Sequence, residues 1–541
     1  MGSGRTKRRD SRERVKPKAS RTRINLGDIL NATGGRRTRI FALAILCVAA
    51  WLPIHNISLP MQYDETFTLD NFAVQSIHTI VTDYRLPNNH IALSLMLNAW
   101  WKLNGRPDPV QFGEAMWRIP VVVLSIVGYL AFFLFVLRAI VRDAIAAALG
   151  TLTLSSIPLA TEYAHQLRGY GPCISYFCIL LAALAFASEM HWVAFATVGF
   201  ITTFLATYTL PTSVWYLLPA VAGAAVYLLR LNAEASWSNY AGSRWNWIRR
   251  GTLSRFFLVR FLPLALGPIA AVIAFSFATI DQGNLSHSIG QSLRFLASDF
   301  FRFWKFTMNC VAPTGHWMAG LVLAIPAVVM LVLRIRRGSQ TLKFAWLILP
   351  VILLSPIIAG AMTDRAFERN FSGAIPWYVA LDTWLVVELS EALTKARPGM
   401  LNIATSRRTL LAVLGLTALT FGLLKSRDLR DYFAPREIFA YLKQNMGARS
   451  IGAYDMESDA HSLDFYGRAN GLSRRFNYYE YVPEHLPPGI ESFFLLSSSD
   501  DNLKQMLKRF GLNFKQGTPA FHEAGKFGRS KMYRIDFESA P

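Results

Sequence analysis

Long apolar runs recur along this chain of 541 residues and constrain its fold more than any other feature. A membrane-spanning helix needs about 20 predominantly apolar residues, because it rises about 1.5 Å per residue through a hydrocarbon core about 30 Å thick. Eleven runs approach or reach that length: 40–54, 119–141, 144–160, 171–187, 192–209, 213–230, 261–280, 317–333, 342–361, 371–388 and 409–424. They predict a polytopic α-helical membrane protein with about eleven transmembrane helices.

The composition agrees with this prediction. Hydrophobic residues make up 52% of the chain and charged residues only 17%, whereas soluble domains average about 25% charged. A mean hydropathy of +0.27 at this length excludes a disordered chain, a collagen and a small disulfide-rich scaffold. The cysteines form no CxxC pair, so neither a disulfide framework nor a zinc framework is expected. They are Cys47, Cys173, Cys178 and Cys310.

The distribution of charge predicts the orientation of the chain. A net charge of +21 would suggest nucleic-acid binding in a soluble protein. Here residues 1–39 hold 13 Lys/Arg and 3 Asp/Glu and supply +10 of the total, so they are predicted to be a disordered basic tail in the cytoplasm. The remaining strongly basic loops then fall on the same side, as the positive-inside rule requires. These loops contain Arg138 and Arg142, residues 230–260, Arg334 to Arg337, and Lys395 to Arg408.

This topology gives a transmembrane domain over 40–424. Because the basic residues are explained by the orientation of the chain in the membrane, no nucleic-acid partner is expected. The compact basic architecture favours a bacterial inner membrane. The segment 90–103 is apolar but short, and it ends in two tryptophans, which favour the membrane interface. We therefore predict an interfacial helix there, because a crossing would put the basic loops on the wrong side. The predicted outer loops are 56–118, 159–170, 281–316 and 362–370.

The last 117 residues, 425–541, differ from the rest. Charge is nearly balanced, with 17 Lys/Arg and 15 Asp/Glu. Helix-like pieces alternate with strand-like ones, so this region is predicted to be a small α/β domain. The predicted helices are Arg436–Met446, Asp459–Arg468 and Asp501–Phe510, and the predicted strands are Ser450–Tyr454, Phe493–Leu496 and Lys531–Phe537. An odd number of spans places this domain outside the membrane, in the periplasm.

Two adjacent carboxylates, Asp64 and Glu65, follow the first apolar run directly. Acidic groups this close to a bilayer are costly to desolvate unless they have a role. A carboxylate there is suited to remove the proton from an attacking hydroxyl as a general base. The structural alternative is that Asp64 caps the helix that follows.

Three further polar stretches lie in the predicted outer loops. An arginine there suits phosphate oxygens, because guanidinium is always charged and forks onto oxyanions; snorkelling to lipid phosphates or internal salt bridges is the alternative. A histidine could bind phosphate or carry a proton, or it could simply begin a helix. The candidates for donor binding are Asn89, His90, Glu162, Tyr163, Arg168, Tyr170, Arg365 and Arg369. Basic and aromatic residues of the loop 281–316 also suit membrane lipids.

Taken in order, these stretches resemble one family. A basic tail and one span are followed by Tyr-Asp-Glu at 63–65, Pro-Asn-Asn-His at 87–90, and Glu-Tyr-Ala-His-Gln-Leu-Arg-Gly-Tyr at 162–170. The chain resembles the GT-C polyprenyl-phosphate-sugar glycosyltransferases of the protein mannosyltransferase and aminoarabinose transferase type. The resemblance covers about 40–230, with Glu368-Arg369 as a weaker match.

The resemblance implies roles for several residues. Asp64 matches the acidic residue that serves the family as catalytic base, and Glu65 is the second member of that pair. His90 matches the histidine that opens the following helix. Tyr163, Arg168 and Tyr170 match a Tyr…Arg-x-Tyr pattern in the second outer loop, and Arg369 matches an arginine that binds phosphate.

One position departs from the family pattern. The second outer loop often reads Tyr-x-x-Glu-x-Arg in relatives, and here the acidic position holds Gln166. Glu162, four residues earlier, is a substitute. We therefore expect no required cofactor and no protein metal ligands, while a divalent metal is still allowed.

The function that follows is transfer of a sugar from a polyprenyl-phosphate carrier to a hydroxyl on the outer face of the membrane, with inversion. The acceptor is a glycan, a lipid or a protein. Two alternatives in the membrane stay open: a transporter or flippase for lipid or sugar, and an oligosaccharide ligase. A non-catalytic scaffold is a third.

Overall fold

The computed structural model of this protein describes most of the chain. The described residues are 35–84, 89–236, 254–280, 302, 304–336, 344–362, 368–396, 402–432, 434–455, 459–512 and 521–537. In chain order the helices are α1 (Arg36–His55), α2 (Tyr63–Thr68), α3 (Ile77–Thr82), α4 (Ile91–Leu103), α5 (Glu114–Ala139), α6 (Ala144–Ser156), α7 (Pro158–Tyr163), α8 (Tyr170–Ala185), α9 (Trp192–Thr209), α10 (Val214–Ser236), α11 (Arg255–Phe275), α12 (Trp317–Arg336), α13 (Ala345–Met362), α14 (Ile375–Ala396), α15 (Ile403–Tyr432), α16 (Pro435–Asn445), α17 (Ala460–Ala469) and α18 (Asp500–Arg509).

Each of the eleven apolar runs coincides with a helix: α1, α5, α6 and α8 to α15. Among the described residues, seven candidate spans are long and apolar enough to cross a membrane, on α1, α5, α9, α10, α11, α12 and α15, and α6, α8 and part of α13 are shorter apolar helices. The remaining one, α14, carries Asp382, Glu388 and Glu391. The protein is a multi-pass α-helical membrane protein, as predicted; eleven crossings stay a prediction.

Large apolar side chains point away from the protein on several of these helices. On α1, Phe41 and Leu43 are each 62% exposed, and on α12 Val322 is 71% exposed. Contiguous apolar surface of this kind marks a membrane contact. The hydrophobic effect therefore does not hold these helices to one another, and close packing has to contribute.

Glycines allow that close packing at two helix pairs. A Cβ atom on Gly267 of α11 would lie 2.1 Å from Thr203 Oγ1 and 2.8 Å from the carbonyl oxygen of Phe200, both on α9. A Cβ on Gly223 of α10 would lie 2.4 Å from the carbonyl oxygen of Trp346 on α13. In both cases backbone lies against backbone, as at small-residue interfaces of membrane helices.

Four ion pairs join helix ends that the sequence places on the cytoplasmic side. They are Arg138–Glu189 at 2.5 Å, Arg334–Glu388 at 2.6 Å, Arg408–Asp143 at 2.9 Å and Arg407–Glu391 at 3.2 Å. The basic residues that predict orientation thus also connect neighbouring helix ends.

The predicted interfacial segment forms α4, and its two tryptophans fix the chain that follows it. Trp100 Nε1 donates to the carbonyl oxygen of Met116 at 2.8 Å, and Trp101 Nε1 donates to that of Pro107 at 2.8 Å. Both indoles therefore hold the connection from α4 to α5.

The C-terminal region contains a five-stranded sheet with the order β4-β3-β5-β7-β6. Its strands are β3 (Ser450–Tyr454), β4 (Phe476–Tyr478), β5 (Ser492–Ser497), β6 (Phe521–Phe527) and β7 (Ser530–Asp536); β1 (Asp83–Tyr84) and β2 (Thr279–Ile280) pair elsewhere. Strand β3 pairs in parallel with β4 and β5, and β7 pairs antiparallel with β5 and β6.

The α/β pattern predicted for this region agrees with α16, α17, α18, β3, β5 and β7 to within one or two residues at each end. Two strands, β4 and β6, were not predicted. The predicted boundary at residue 425 falls inside α15, which continues to Tyr432. The apolar pattern ends near residue 424. The charged residues after it are compatible with a helix, so α15 continues beyond the apolar run.

A first prediction concerns the contact between α9 and α11. Gly267→Leu should lower the free energy of unfolding by about 1–3 kcal/mol, because the side chain cannot enter without moving a backbone. Gly35→Leu is the matched control, since a Cβ there meets nothing within 4 Å. Unfolding of both variants in detergent, followed by circular dichroism, measures the difference. Equal stability of the two variants would contradict the packing described here.

Candidate active site

Helix α2 carries the two predicted carboxylates in its first turn. Its N-cap is Gln62, not Asp64, so Asp64 is not used for capping. Glu65 is completely buried, whereas the Asp64 side chain is 23% exposed. The two neighbours therefore face different surroundings and have different partners.

Glu65 forms a buried ion pair with Arg118, a residue in the first turns of α5. Arg118 Nη2 lies 2.6 Å from Glu65 Oε2, and Arg118 Nε lies 2.9 Å from Oε1. Backbone N–H groups of Gln62 and Leu167 each donate to the same carboxylate at 3.0 Å. Glu65 thus accepts four hydrogen bonds, and it joins α2, α5 and the second outer loop.

The remaining N–H groups of Arg118 hold the chain between α1 and α2. They donate to the carbonyl oxygens of Ile57 and Pro60, each at 3.2 Å, and to that of Leu59. The Arg118 side chain is only 1% exposed, and each of its nitrogens donates at least one hydrogen bond. Arg118 was not among the predicted site residues, although an arginine at the outer end of a span is the same signal that pointed to Arg369.

Asp64 pairs with Arg168 of the second outer loop. Arg168 Nη2 lies 2.6 Å from Asp64 Oδ2, and the arginine side chain is 6% exposed. Its guanidinium carbon lies 5.7 Å from the ring centre of Tyr163 and 5.2 Å from that of Tyr170. Within the part of the chain that the structure describes, Arg168 Nε is buried and has no acceptor.

Two glycines beside Arg168 let the loop approach its neighbours. A Cβ on Gly169 would lie 2.7 Å from His90 Nδ1, and a Cβ on Gly171 would lie 2.1 Å from the carbonyl oxygen of Tyr163. Any larger residue at 169 or 171 would push the loop away from His90 and Tyr163. The Arg-Gly-Tyr-Gly sequence at 168–171 is therefore needed for the compact arrangement.

His90 lies against this loop as the N-cap of α4. Its ring centre is 5.7 Å from that of Tyr170, and Nδ1 lies 3.2 Å from the carbonyl oxygen of Thr209. A carbonyl only accepts, so Nδ1 carries the proton. Burial, and next the charge of Arg168, lower the pKa of His90 to about 4. The imidazole is therefore neutral at pH 7 and leaves Nε2 as an acceptor.

Of the other predicted residues, one joins the cluster around Arg168, two have partners elsewhere in the fold, and one lies outside the described residues. Arg369 lies close enough to His90 and Tyr163 to interact electrostatically with both, so it belongs to the same cluster. Asn89 donates to the carbonyl oxygens of Ile80 and Asp83 and accepts from Ser94, so it is occupied within the fold. Glu162 pairs with Lys425 at 3.0 Å. Arg365 lies outside the described residues.

Helix α17 of the C-terminal region packs directly on α2. The His461 ring centre lies 5.0 Å from that of Tyr63 and 4.9 Å from that of Phe67. The Tyr466 hydroxyl accepts from the Met61 N–H at 2.9 Å and donates to Glu114 Oε1 at 2.7 Å. These residues were not predicted, because no local pattern links 460–469 to a loop almost 400 residues earlier.

A divalent metal would have to compete with arginines for the carboxylates of this site. Such an ion needs several oxygen or nitrogen ligands, but Asp64 and Glu65 are each paired with an arginine. Across the described ranges, no group of three or more His, Cys, Asp or Glu side chains is arranged to hold a metal ion. The reaction proposed for this site therefore assigns no step to a metal.

Comparison with known proteins finds similarity only at the level of structure. No protein-family model matches the chain, and no curated protein matches it. ArnT from Cupriavidus metallidurans bound to undecaprenyl phosphate is 13% identical, with a TM-score of 0.47 over 91% of this chain and 97% of that one. The archaeal oligosaccharyltransferase AglB from Archaeoglobus fulgidus, in complex with an inhibitory peptide and a dolichol-phosphate, is 12% identical, with a TM-score of 0.43 over 86% and 70%.

Another structure of the Archaeoglobus fulgidus oligosaccharyltransferase, a complex with Zn and sulfate, is 11% identical, with a TM-score of 0.41 over 84% of this chain and 67% of that one. TM-scores below 0.5 establish neither the fold nor the activity of this chain. The function proposed for it is supported by the geometry of its own site.

A second prediction tests the buried ion pair. Glu65→Gln should lower the free energy of unfolding by about 3–5 kcal/mol, because it leaves the Arg118 charge buried without its partner. Glu491→Gln breaks the exposed Arg449–Glu491 pair and should change stability by no more than about 1 kcal/mol. Denaturant unfolding in detergent measures both. A Glu65→Gln protein as stable as Glu491→Gln would contradict the structural role of the pair.

A third prediction follows from the lowered pKa of His90. As pH falls below the usual histidine pKa of 6.5 toward about 4, the unfolded chain gains a proton that the folded His90 does not. This favours unfolding, so the contribution is full above pH 6.5 and is lost toward pH 4, by on the order of 3 kcal/mol. His90→Gln should flatten this part of the stability profile. Parallel profiles of the two proteins would contradict the assignment.

Proposed function

We propose that this protein is a GT-C-type glycosyltransferase that moves a sugar from a polyprenyl-phosphate carrier to a hydroxyl acceptor. The observation that carries the proposal is the Asp64–Arg168 contact at 2.6 Å. It brings a partly exposed base and a buried cation together where two predicted outer loops meet. A transfer from a lipid phosphate needs both groups, because a proton has to leave the acceptor while negative charge develops on the phosphate.

In this reaction Arg168 binds the phosphate of the donor. Its Nε–H is buried and has no acceptor among the described residues, and an unmet donor on a buried guanidinium favours an oxyanion ligand. Arg369 adds positive charge to the same cluster. Stabilising the charge that develops on a leaving group usually contributes more to catalysis than any other single effect. Arg365 is retained as a further candidate for phosphate binding.

Asp64 acts as the general base. The donor phosphate competes with Asp64 for Arg168, so donor binding weakens the ion pair and releases the carboxylate toward the acceptor. Asp64 then takes the proton of the acceptor hydroxyl as that oxygen forms a bond to the anomeric carbon. The bond between the anomeric carbon and the phosphate oxygen breaks, and polyprenyl phosphate leaves with the electron pair.

Glu65 is assigned to positioning. Its oxygens are occupied by Arg118 and two backbone N–H groups, and it holds Leu167, the residue before Arg168. Since Glu162 is paired with Lys425, neither neighbouring carboxylate is placed as a nucleophile. A retaining mechanism needs a second carboxylate for that purpose. The arrangement therefore favours one displacement with inversion.

The neutral His90 and the rings of Tyr163 and Tyr170 complete the donor side. His90 Nε2 can accept a hydrogen bond from a sugar hydroxyl, because Nδ1 is turned to Thr209. The tyrosine rings hold the Arg168 guanidinium by cation–π contacts, which keep it in place without neutralising its charge. We place this site on the periplasmic face of a bacterial inner membrane, with the N-terminus in the cytoplasm.

One observation favours a transporter as a second candidate. Asp382 of α14 is 4% exposed, and its Oδ1 has no hydrogen-bond partner in the described part of the chain. Buried acids within membrane helices often mark transport pathways. A transporter would lose function on Asp382→Asn and retain it on Asp64→Asn, whereas the transferase should behave in the opposite way.

The fourth prediction tests the transferase. Purified protein is given a panel of radiolabelled polyprenyl-phosphate sugars together with membrane extracts as acceptors, with and without a chelator. Asp64→Asn should reduce sugar transfer about 100- to 10,000-fold, and Arg168→Ala should reduce it at least about 100-fold. Asp108→Asn, an exposed residue of the same outer loop, is the matched control and should retain full activity.

Two outcomes would contradict the proposal. One is transfer by Asp64→Asn at the rate of the wild type. The other is a wild type that neither consumes nor binds any donor of the panel. Loss of activity on chelation would show that a metal contributes, which the side chains around Asp64 do not lead us to expect.

A further inference from the structure

The C-terminal region contributes a wall to the site through α17. Buried hydrogen bonds and ion pairs fix the position of this helix. The Tyr466 hydroxyl, on a residue only 5% exposed, bridges the Met61 N–H and Glu114. Arg468 pairs with Asp70, and Arg436 of α16 pairs with Glu114 at 2.8 Å. The first turn of α17 therefore has a defined place beside α2.

His461 occupies that first turn and packs on one side of α2. Its ring contacts Tyr63, the residue before Asp64, and Phe67, one helical turn later. Phe67 is buried, whereas Tyr63 and His461 are each partly exposed. Burial lowers the pKa of His461, so its imidazole is neutral at pH 7 and offers both a donor and an acceptor.

The cluster that pairs with Asp64 lies elsewhere. Arg168 pairs with Asp64 and lies over the rings of Tyr163 and Tyr170, and His90 contacts Tyr170. In a displacement with inversion, the attacking oxygen and the leaving group lie on opposite sides of the anomeric carbon. If this cluster holds the leaving phosphate, the acceptor has to approach from another side of Asp64, and α17 packs on Tyr63, the residue before Asp64.

We propose that Tyr63 and His461 form the acceptor-binding wall and that the acceptor is a carbohydrate. This inference rests on the proposed function and names the substrate class on its acceptor side. The ring of the sugar packs on Tyr63, and one of its hydroxyls exchanges a hydrogen bond with His461, which leaves the reacting hydroxyl at Asp64. His461 is then a residue of the catalytic site that the C-terminal region supplies.

The chemistry of the wall favours a sugar over a peptide. A pyranose has apolar faces and a rim of hydroxyl groups, so it suits an aromatic face beside a neutral imidazole. An extended peptide is usually held by main-chain hydrogen bonds at a strand edge. Here the wall consists of two helix sides, and their backbone groups are largely used within the helices.

The test uses the full chain in lipid nanodiscs, with the donor that the radiolabelled panel identifies and a panel of octyl glycosides as acceptors. His461→Ala should raise the acceptor KM about 10-fold, which corresponds to the loss of one hydrogen bond and one ring contact. Binding of undecaprenyl phosphate should stay unchanged, because the donor cluster is not touched. His485→Ala, an exposed histidine of the same region, is the matched control and should change neither value.

His461→Gln provides a second variant in case the alanine protein does not fold. It keeps a hydrogen-bonding group without the ring and should show a smaller rise in the acceptor KM. An unchanged acceptor KM in both variants overturns the proposal. So does a parallel loss of donor binding and Tm, because it would assign His461 to holding α2 in place.

A separate measurement distinguishes this inference from the proposed function. Saturation-transfer NMR detects binding of octyl glycosides without any transfer. Binding by the wild type that is lost in His461→Ala supports the wall even if no donor is consumed, and the proposed reaction alone would then be wrong. No binding of any octyl glycoside, or transfer to a peptide containing Ser and Thr in preference to them, overturns the carbohydrate acceptor.

Discussion

The arrangement of the chain around Asp64 depends on one buried ion pair, between Glu65 and Arg118. Taking two charges out of water is costly, and it is tolerated only when every remaining donor and acceptor is satisfied. Here the carboxylate accepts four hydrogen bonds, and the guanidinium reaches three carbonyl oxygens as well. The pair therefore fixes the end of α1, the start of α2, the start of α5 and the second outer loop relative to one another.

This arrangement also sets which residues of α2 and of the second outer loop lie opposite one another. Glu65 holds the N–H of Leu167, and the residue before Glu65 pairs with the residue after Leu167 in the second ion pair, Asp64–Arg168. Two adjacent positions on α2 thus meet two adjacent positions on the loop. The inner pair is buried and structural, whereas the outer pair keeps an exposed edge on Asp64. This difference in burial is the basis for proposing Glu65 as the positioning carboxylate and Asp64 as the base.

Much of the fold could be predicted from the sequence, because apolar runs and alternating patterns are features of short stretches of chain. Each apolar run became a helix, and the α/β pattern after 425 located six elements of the C-terminal region. Six residues named from the sequence lie in one cluster, and their roles stay predictions: Asp64, Arg168, Tyr163, Tyr170, His90 and Arg369. Asn89 and Glu162 have the right chemistry, but their polar groups are used within the fold. Arg118, Tyr466 and His461 depend on contacts between distant segments, and no local pattern contains that information.

The contacts between α17 of the C-terminal region and α2 suit the proposed reaction, in which two different substrates reach one site. A polyprenyl donor reaches the site from the bilayer, and a carbohydrate acceptor reaches it from water. Asp64 lies where these two approaches meet, with the cationic loop at 162–170 on one side and α17 on another. Because Tyr466 and Arg468 tie α17 to the residues on both sides of α2, any displacement of the C-terminal region moves the base as well. Acceptor binding at α17 would therefore take place beside the same contacts that hold Asp64 in position to take the acceptor proton.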